Sequence, residues 1–141
     1  MNIYADSSVF VSLYLRDAHF RDARERIERQ HQIWLTSLHR VEWHHAVAQH
    51  IFQRVISVEQ AAKVQSAFEV GRERGLWLEV EMPDAAFETA IELARKQVLH
   101  LGGRTLDSLH VASAVLLRAD EFWTFDERQR KLARAAGLKA S

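Results

Sequence analysis

Four acidic residues stand where this chain could assemble a site for phosphodiester chemistry: Asp6, Glu42, Asp107 and Asp126. Asp6 ends a short apolar run, and the other three fall at strand-to-helix junctions or in the first turns of helices. Carboxylates held together repel one another, and a hard divalent cation such as Mg²⁺ or Mn²⁺ relieves that repulsion. A cation so held activates water and stabilises the charge that grows on a phosphodiester during in-line displacement. The pattern therefore favours nuclease chemistry.

Each of these acids also has an ordinary structural explanation. Asp6 and Asp126 stand where helix N-caps are expected, and Asp126 has capping-box spacing to Gln129. Asp107 lies in a first helical turn, where the helix dipole favours an anion. Glu42 has the position of an exposed helix residue. The nuclease hypothesis rests on their convergence, because the carboxyl ends of parallel strands and the helix starts after them share one edge of a sheet.

The elements that must position the acids are short strands alternating with helices. Hydrophobic periodicity predicts strands at 2–5, 33–35, 76–81, 122–125 and 138–140. It predicts helices at 7–15, 16–30, 38–54, 58–74, 83–100, 105–117 and 127–136. Such alternation implies an α/β domain with a mostly parallel sheet and helices on both faces.

Composition limits the function classes. With 141 residues the chain is most simply one domain, covering 1–141. It has no cysteine, which excludes disulfides, thiol nucleophiles and thiolate metal sites. Basic and acidic residues both number 19, which argues against a protein that coats DNA nonspecifically. No signal peptide or transmembrane stretch is visible, so we expect a cytoplasmic protein without membrane contacts.

Histidines suggest a rival zinc site around Glu42. The histidines near it in sequence are His39, His44, His45 and His50. There is no His-Glu-x-x-His motif, and His44 and His45 point about 100° apart on a helix, so a zinc hydrolase is not favoured. His110, one turn after Asp107, is interpreted as a hydrogen-bonded core histidine.

Four segments resemble the PIN domain family. They are Asp6-Ser7-Ser8, Arg40-Val41-Glu42, the run from Arg104 to His110, and the run from Thr124 to Gln129. The resemblance spans almost the whole chain, with the four acids in the family's order. More narrowly, the chain is similar to the VapC-type toxins of toxin–antitoxin pairs. The resemblance implies a three-layer α/β/α, PIN-like fold with a mostly parallel, about five-stranded sheet.

The resemblance also implies a metal-dependent endoribonuclease that hydrolyses RNA phosphodiesters at the four carboxylates. Asp6 and Asp107 match the expected ligands of Mg²⁺ or Mn²⁺, with Glu42 and Asp126 assisting. The family also has small hydroxyl residues that orient ligands or water, and these correspond to Ser7, Ser8 and Thr124.

The same resemblance implies a homodimer and a small antitoxin protein that blocks the site. The helical hairpin formed by about 38–54 and 58–74 carries mixed apolar and basic residues, including Phe52, Val55 and Phe68. We further hypothesise that part of it pairs with the antitoxin or the second protomer; internal packing alone is an equal alternative.

Two other functions remain open. One is a non-catalytic PIN-like module that binds RNA or protein. The other is phosphoryl transfer through an aspartyl-phosphate on Asp6, which ranks last because Ser8 stands where that chemistry usually needs a second acid.

Overall fold

A parallel sheet forms the middle layer of the computed structural model, which describes residues 1–29 and 32–141. Its strands are β1 (Ile3–Ala5), β2 (Ile33–Leu35), β3 (Trp77–Glu79) and β4 (Glu121–Trp123). They lie in the order β3-β2-β1-β4, with every adjacent pair parallel. The predicted parallel sheet is therefore confirmed, and β1 lies at its centre.

Helices connect the strands and cover both faces of the sheet. They are α1 (Ser7–Leu15), α2 (Phe20–Arg29), α3 (Ser37–Phe52), α4 (Val58–Glu73), α5 (Ala86–Leu93), α6 (Leu99–Leu101), α7 (Thr105–Leu116) and α8 (Glu127–Ala135). The single helix predicted over 83–100 is interrupted, because a π-helical turn at Ala94–Val98 joins α5 to α6. The predicted helix 16–30 starts only at Phe20, and its residue 30 lies outside the described residues.

The sheet has four strands in the described chain, against the about five that were expected. The last predicted strand, 138–140, contributes only an isolated parallel bridge between Ala140 and Phe122. Backbone hydrogen bonds from Phe122 N to Lys139 O and from Ser141 N to Phe122 O still hold this segment along β4. The outer edge of β4 is thus covered, although the pairing is too short to count as a fifth strand.

Residues of β1 face two different cores because side chains alternate along a strand. Ile3 and Ala5 pack on one face with the helices α1, α3 and α4, and Tyr4 packs on the other with Phe122. All three β1 residues are fully buried, as expected for a parallel strand covered on both sides.

The hairpin of α3 and α4 is divided between internal packing and exposed surface. Phe68 is completely buried and stacks on Trp43, with ring centroids 4.9 Å apart, so it belongs to the core. Burial of such a side chain stabilises the fold by about 1.5–3 kcal/mol. Phe52 and Val55, by contrast, are 82% and 62% exposed. Only these two of the three named residues are accessible to a partner.

Candidate active site

Two of the four acids are positioned as helix N-caps. Asp6 follows β1 and accepts a hydrogen bond of 3.0 Å from the backbone N–H of Ser8, at the start of α1. Asp126 follows β4 and accepts bonds of 2.8 and 3.1 Å from the N–H groups of Arg128 and Gln129 in α8. The structural explanation is therefore correct for both residues. It does not compete with a role in a site, because both also line the cavity described next.

All four carboxylates line one cavity of about 470 Å³. Asp6 and Asp107 are almost buried, with 5% and 7% of their surface exposed. The side chains of Glu42 and Asp126 are 25% and 26% exposed, nearer the opening. The wall of the cavity also includes Ser7, Ser8, His19, Arg104, His110 and Phe125. The structure thus brings together the four acids that the sequence places in four separate segments.

Neutral donors hold the buried carboxylate of Asp6. Thr124, itself fully buried, donates its hydroxyl to Oδ2 at 2.7 Å, and the Ser8 hydroxyl donates to Oδ1. Burial raises the pKa of Asp6, and the two hydroxyl bonds offset this only in part. No Lys or Arg in the described ranges forms an ion pair with Asp6. Its negative charge is therefore held by dipoles alone.

A buried polar chain leads from Glu42 into the core. Ser7 Oγ donates to Glu42 Oε1 at 2.9 Å, and His110 Nε2 is hydrogen-bonded to the same oxygen. His110 Nδ1 lies 2.9 Å from the hydroxyl of Tyr4. A carboxylate only accepts, so Nε2 donates to Glu42, and in the neutral ring Nδ1 accepts from Tyr4, a proton arrangement assigned from this network.

These contacts keep Glu42 ionised. Burial alone raises the pKa of Glu42, but the hydrogen bonds from His110 and Ser7 and the charge of Arg104 outweigh it. The net effect is a lowered pKa. Glu42 is therefore a carboxylate at neutral pH and can act as a proton acceptor.

Arg104 lies between the other two acids. Its Nε is 3.2 Å from Asp107 Oδ2, and its Nη2 is 3.8 Å from Asp126 Oδ2. The Arg104 side chain itself is largely exposed. A surface guanidinium of this kind is weakly held and can be displaced or can turn toward an incoming anion.

The donors in the cavity fit a hard divalent cation. Among residues 1–29 and 32–141, no group of three or more His, Asp or Glu side chains is spaced to hold a metal ion. Carboxylate and hydroxyl oxygens are nevertheless the ligands that Mg²⁺ and Mn²⁺ prefer. Asp6, buried without a cationic partner, supplies a reason for a cation to bind. Asp107, by contrast, is paired with Arg104.

From the sequence, His110 and Arg104 are not expected to take part in the site, yet both line the cavity. His110 was interpreted as a core histidine, and it is buried, but it also bonds Glu42. Its place three residues after Asp107 in α7 was the available signal, because residues three apart share a helix face. Arg104 begins the segment from Arg104 to His110, and its spacing to Asp107 carries the same signal.

Comparison with known proteins agrees with this architecture. A family model described as PIN domain matches residues 3–135. One similar solved structure is VapBC2 from Rickettsia felis, bound to a promoter DNA fragment. It is 15% identical to this chain with a TM-score of 0.68, and the match covers 100% of this chain and 98% of that one. The sarcin–ricin loop cleaving toxin VapC20 from Mycobacterium tuberculosis is 15% identical, TM-score 0.69, covering 96% and 95%. FitAcB from Neisseria gonorrhoeae is 14% identical, TM-score 0.72, covering 98% and 95%.

At these identities the likeness to solved structures establishes the fold. No curated protein matches the chain by sequence. Within the described ranges, no helix is long and apolar enough to cross a membrane.

Proposed function

The chain belongs to the PIN domain family, and from this premise we propose that it is a metal-dependent endoribonuclease, the toxin of a toxin–antitoxin pair. One observation carries the proposal: four carboxylates from four separate segments line a single cavity. Such a cavity does not suit a module that only binds RNA, because carboxylates repel phosphates unless a cation lies between them. The non-catalytic alternative is therefore the weaker one.

Asp6 and Asp107 are the proposed ligands of Mg²⁺ or Mn²⁺, with Glu42 and Asp126 assisting. When bound, such an ion lowers the pKa of its water and offsets the charge that develops on the phosphodiester. The hydroxyls of Ser8 and Thr124 fix the two oxygens of Asp6, so that this carboxylate is oriented before any ligand arrives.

Glu42 is the proposed acceptor of a proton from the attacking water, since its hydrogen bonds keep it ionised. Hydrolysis forms a bond from the water oxygen to phosphorus and breaks the bond from phosphorus to a ribose oxygen, which then takes up a proton. Arg104, exposed at the cavity, is placed to bind the non-bridging phosphate oxygens, which suit a guanidinium.

We propose three partners: an RNA substrate, a small antitoxin and a second copy of this chain. The similarity to VapC20, a toxin named for cleaving the sarcin–ricin loop, supports the first, and the similarity to VapBC2 supports the second. Exposed apolar residues such as Phe52 and Val55 are available for protein contacts.

The proposal is tested with Asp6→Asn, because Asn caps a helix as well as Asp does and the fold is retained. Mn²⁺ is titrated into each protein by calorimetry, and a mixed RNA pool is then incubated with each. Wild type is expected to bind the ion and cleave RNA. Asp6→Asn is expected to lose both, with cleavage falling by roughly 10²–10³-fold, as for other lost electrostatic groups.

Asp84→Asn is the matched control, since Asp84 is exposed and lies outside the cavity. It is expected to bind and cleave like wild type. Full activity in Asp6→Asn would refute the mechanism. Failure of wild type to bind Mn²⁺ or cleave RNA would favour the non-catalytic module instead.

A further inference from the structure

An aromatic stack borders the carboxylates in the same cavity. The rings of His19 and Phe125 are parallel, with an interplanar angle of 6° and centroids 4.5 Å apart. His19 is exposed, whereas Phe125 is partly buried. Both line the cavity that contains Asp6 and Asp107. The outer face of the His19 ring is thus a flat surface open to solvent beside the proposed reaction centre.

A cation contacts the partly buried member of this stack. The guanidinium of Arg26 lies 5.3 Å from the centre of the Phe125 ring and 5.8 Å from that of Trp123. Arg26 is mostly buried and is paired with Asp22 at 2.8 Å. Contacts of a guanidinium with aromatic rings are attractive. Arg26 therefore restrains the Phe125 ring, and a ring that stacks on Phe125 is held in place as well.

Backbone hydrogen bonds connect both residues to α1 and to the segment that carries Asp6. The backbone N–H of Phe125 donates to Ser8 Oγ at 3.3 Å, and the same hydroxyl donates to Asp6. The backbone N–H of His19 donates to Asp17, which also accepts from the buried Ser12 of α1 at 2.9 Å. The stack is thus set in a fixed relation to the carboxylates before substrate arrives.

We propose that the His19–Phe125 stack is a base-stacking subsite, which holds the nucleobase beside the cleaved phosphate of single-stranded RNA. The inference rests on the proposed function. Unpaired bases stack on aromatic and histidine side chains in RNA-binding proteins, whereas paired bases are hidden in the duplex. The subsite gives affinity near an acidic cavity, where the phosphate backbone alone gains little attraction.

Two substitutions remove the stack without touching the carboxylates. His19→Ala removes the outer ring, and Phe125→Leu removes the flat support while keeping an apolar side chain. His100→Ala and Phe87→Leu are the matched controls, since both residues are exposed and lie outside the cavity. His19→Phe keeps a ring at the outer position.

Cleavage of a random RNA pool by wild type identifies the sequence that is cut fastest, and this RNA is the probe for all variants. Loss of base stacking weakens binding by about 5- to 100-fold. We expect KM to rise by this factor in His19→Ala and Phe125→Leu with kcat nearly unchanged, and His19→Phe and both controls to match wild type.

An abasic nucleotide placed on each side of the cut then tests the contact itself. At one of the two positions, removal of the base should raise the KM of wild type and have little further effect on His19→Ala. An unchanged KM in both stack variants, or the same abasic effect in wild type and His19→Ala, would overturn the subsite. In that case continued cleavage by wild type, lost in Asp6→Asn, leaves the proposed nuclease standing. No cleavage by wild type would refute both.

Discussion

The hydroxyl of Tyr4 supports the candidate site from inside the core, and Tyr4→Phe tests this support. Tyr4 is completely buried, and its ring lies parallel to that of Phe122 with centroids 5.7 Å apart, so Phe fits the same space. Burial raises the pKa of Tyr4, and its hydroxyl stays protonated at neutral pH. The substitution therefore removes the hydroxyl, which bonds His110 and also lies within hydrogen-bond reach of the hydroxyls of Thr36 and Ser113.

The loss falls on His110, whose Nδ1 is 2.9 Å from that hydroxyl and whose side chain is only 2% exposed. A buried acceptor left without a partner costs about 1–3 kcal/mol. With an unfolding entropy of about 2.1 cal/mol/K per residue, 1 kcal/mol lowers the melting temperature of a chain of this size by about 3 °C. Tyr4→Phe is therefore expected to lower the melting temperature by about 3–10 °C.

The assay is urea unfolding near pH 7, followed by tryptophan fluorescence, together with a thermal scan. A double-mutant cycle with His110→Ala separates the hydrogen bond from other effects of the substitution. In the His110→Ala background, Tyr4→Phe should cost less than about 0.5 kcal/mol, because its partner is already absent. An equal cost in both backgrounds would refute the reasoning.

Three further substitutions probe other contacts. Gly71→Ala should lower the free energy of unfolding by about 1–3 kcal/mol, because an added Cβ would lie 2.4 Å from Trp77 Nε1. Ala in a helix ordinarily raises stability, so a raised melting temperature in a thermal scan would contradict this prediction. Hydrogen bonding from Lys139 lowers the pKa of Glu121, so Glu121→Gln should lose up to about 1 kcal/mol in urea unfolding near pH 7. The difference in unfolding free energy should disappear as the pH falls below about 4.3, the pKa of Glu in the unfolded chain, and through the lowered pKa of Glu121 in the folded protein. A difference that stays constant with pH would contradict the prediction. Arg104→Gln should bind Mn²⁺ about 2- to 5-fold more tightly by calorimetry, because its guanidinium no longer competes for Asp107, and weaker binding would argue against that competition.

Local signals in the sequence account for the positions of Asp6 and Asp126. Asp6 and Asp126 each end an apolar strand and cap the next helix, and parallel strands place such residues at one edge. The boundaries were less certain. Strand β4 begins at Glu121, one residue before the predicted start, and it ends before Thr124 and Phe125, which were predicted to belong to it.

What the sequence could not supply depends on contacts between distant residues. Periodicity marks an apolar helix face but cannot tell a core from an interface, which is why Phe68 was grouped with the exposed Phe52. The bond of His110 to Glu42 joins residues 68 positions apart, so the spacing from Asp107 places His110 on the right helix face but does not reveal its partner. The stack of His19 on Phe125 arises in the same way.

The central position of β1 has a consequence for the protein while it is being synthesised. Asp6 is oriented by Thr124, 118 residues later in the chain, and β1 is flanked by β4. During synthesis, β4 leaves the ribosome late. Until it does, the nascent chain lacks a complete site, however much of its amino-terminal part has folded. A chain built in this order completes the proposed ribonuclease site only late in its own translation.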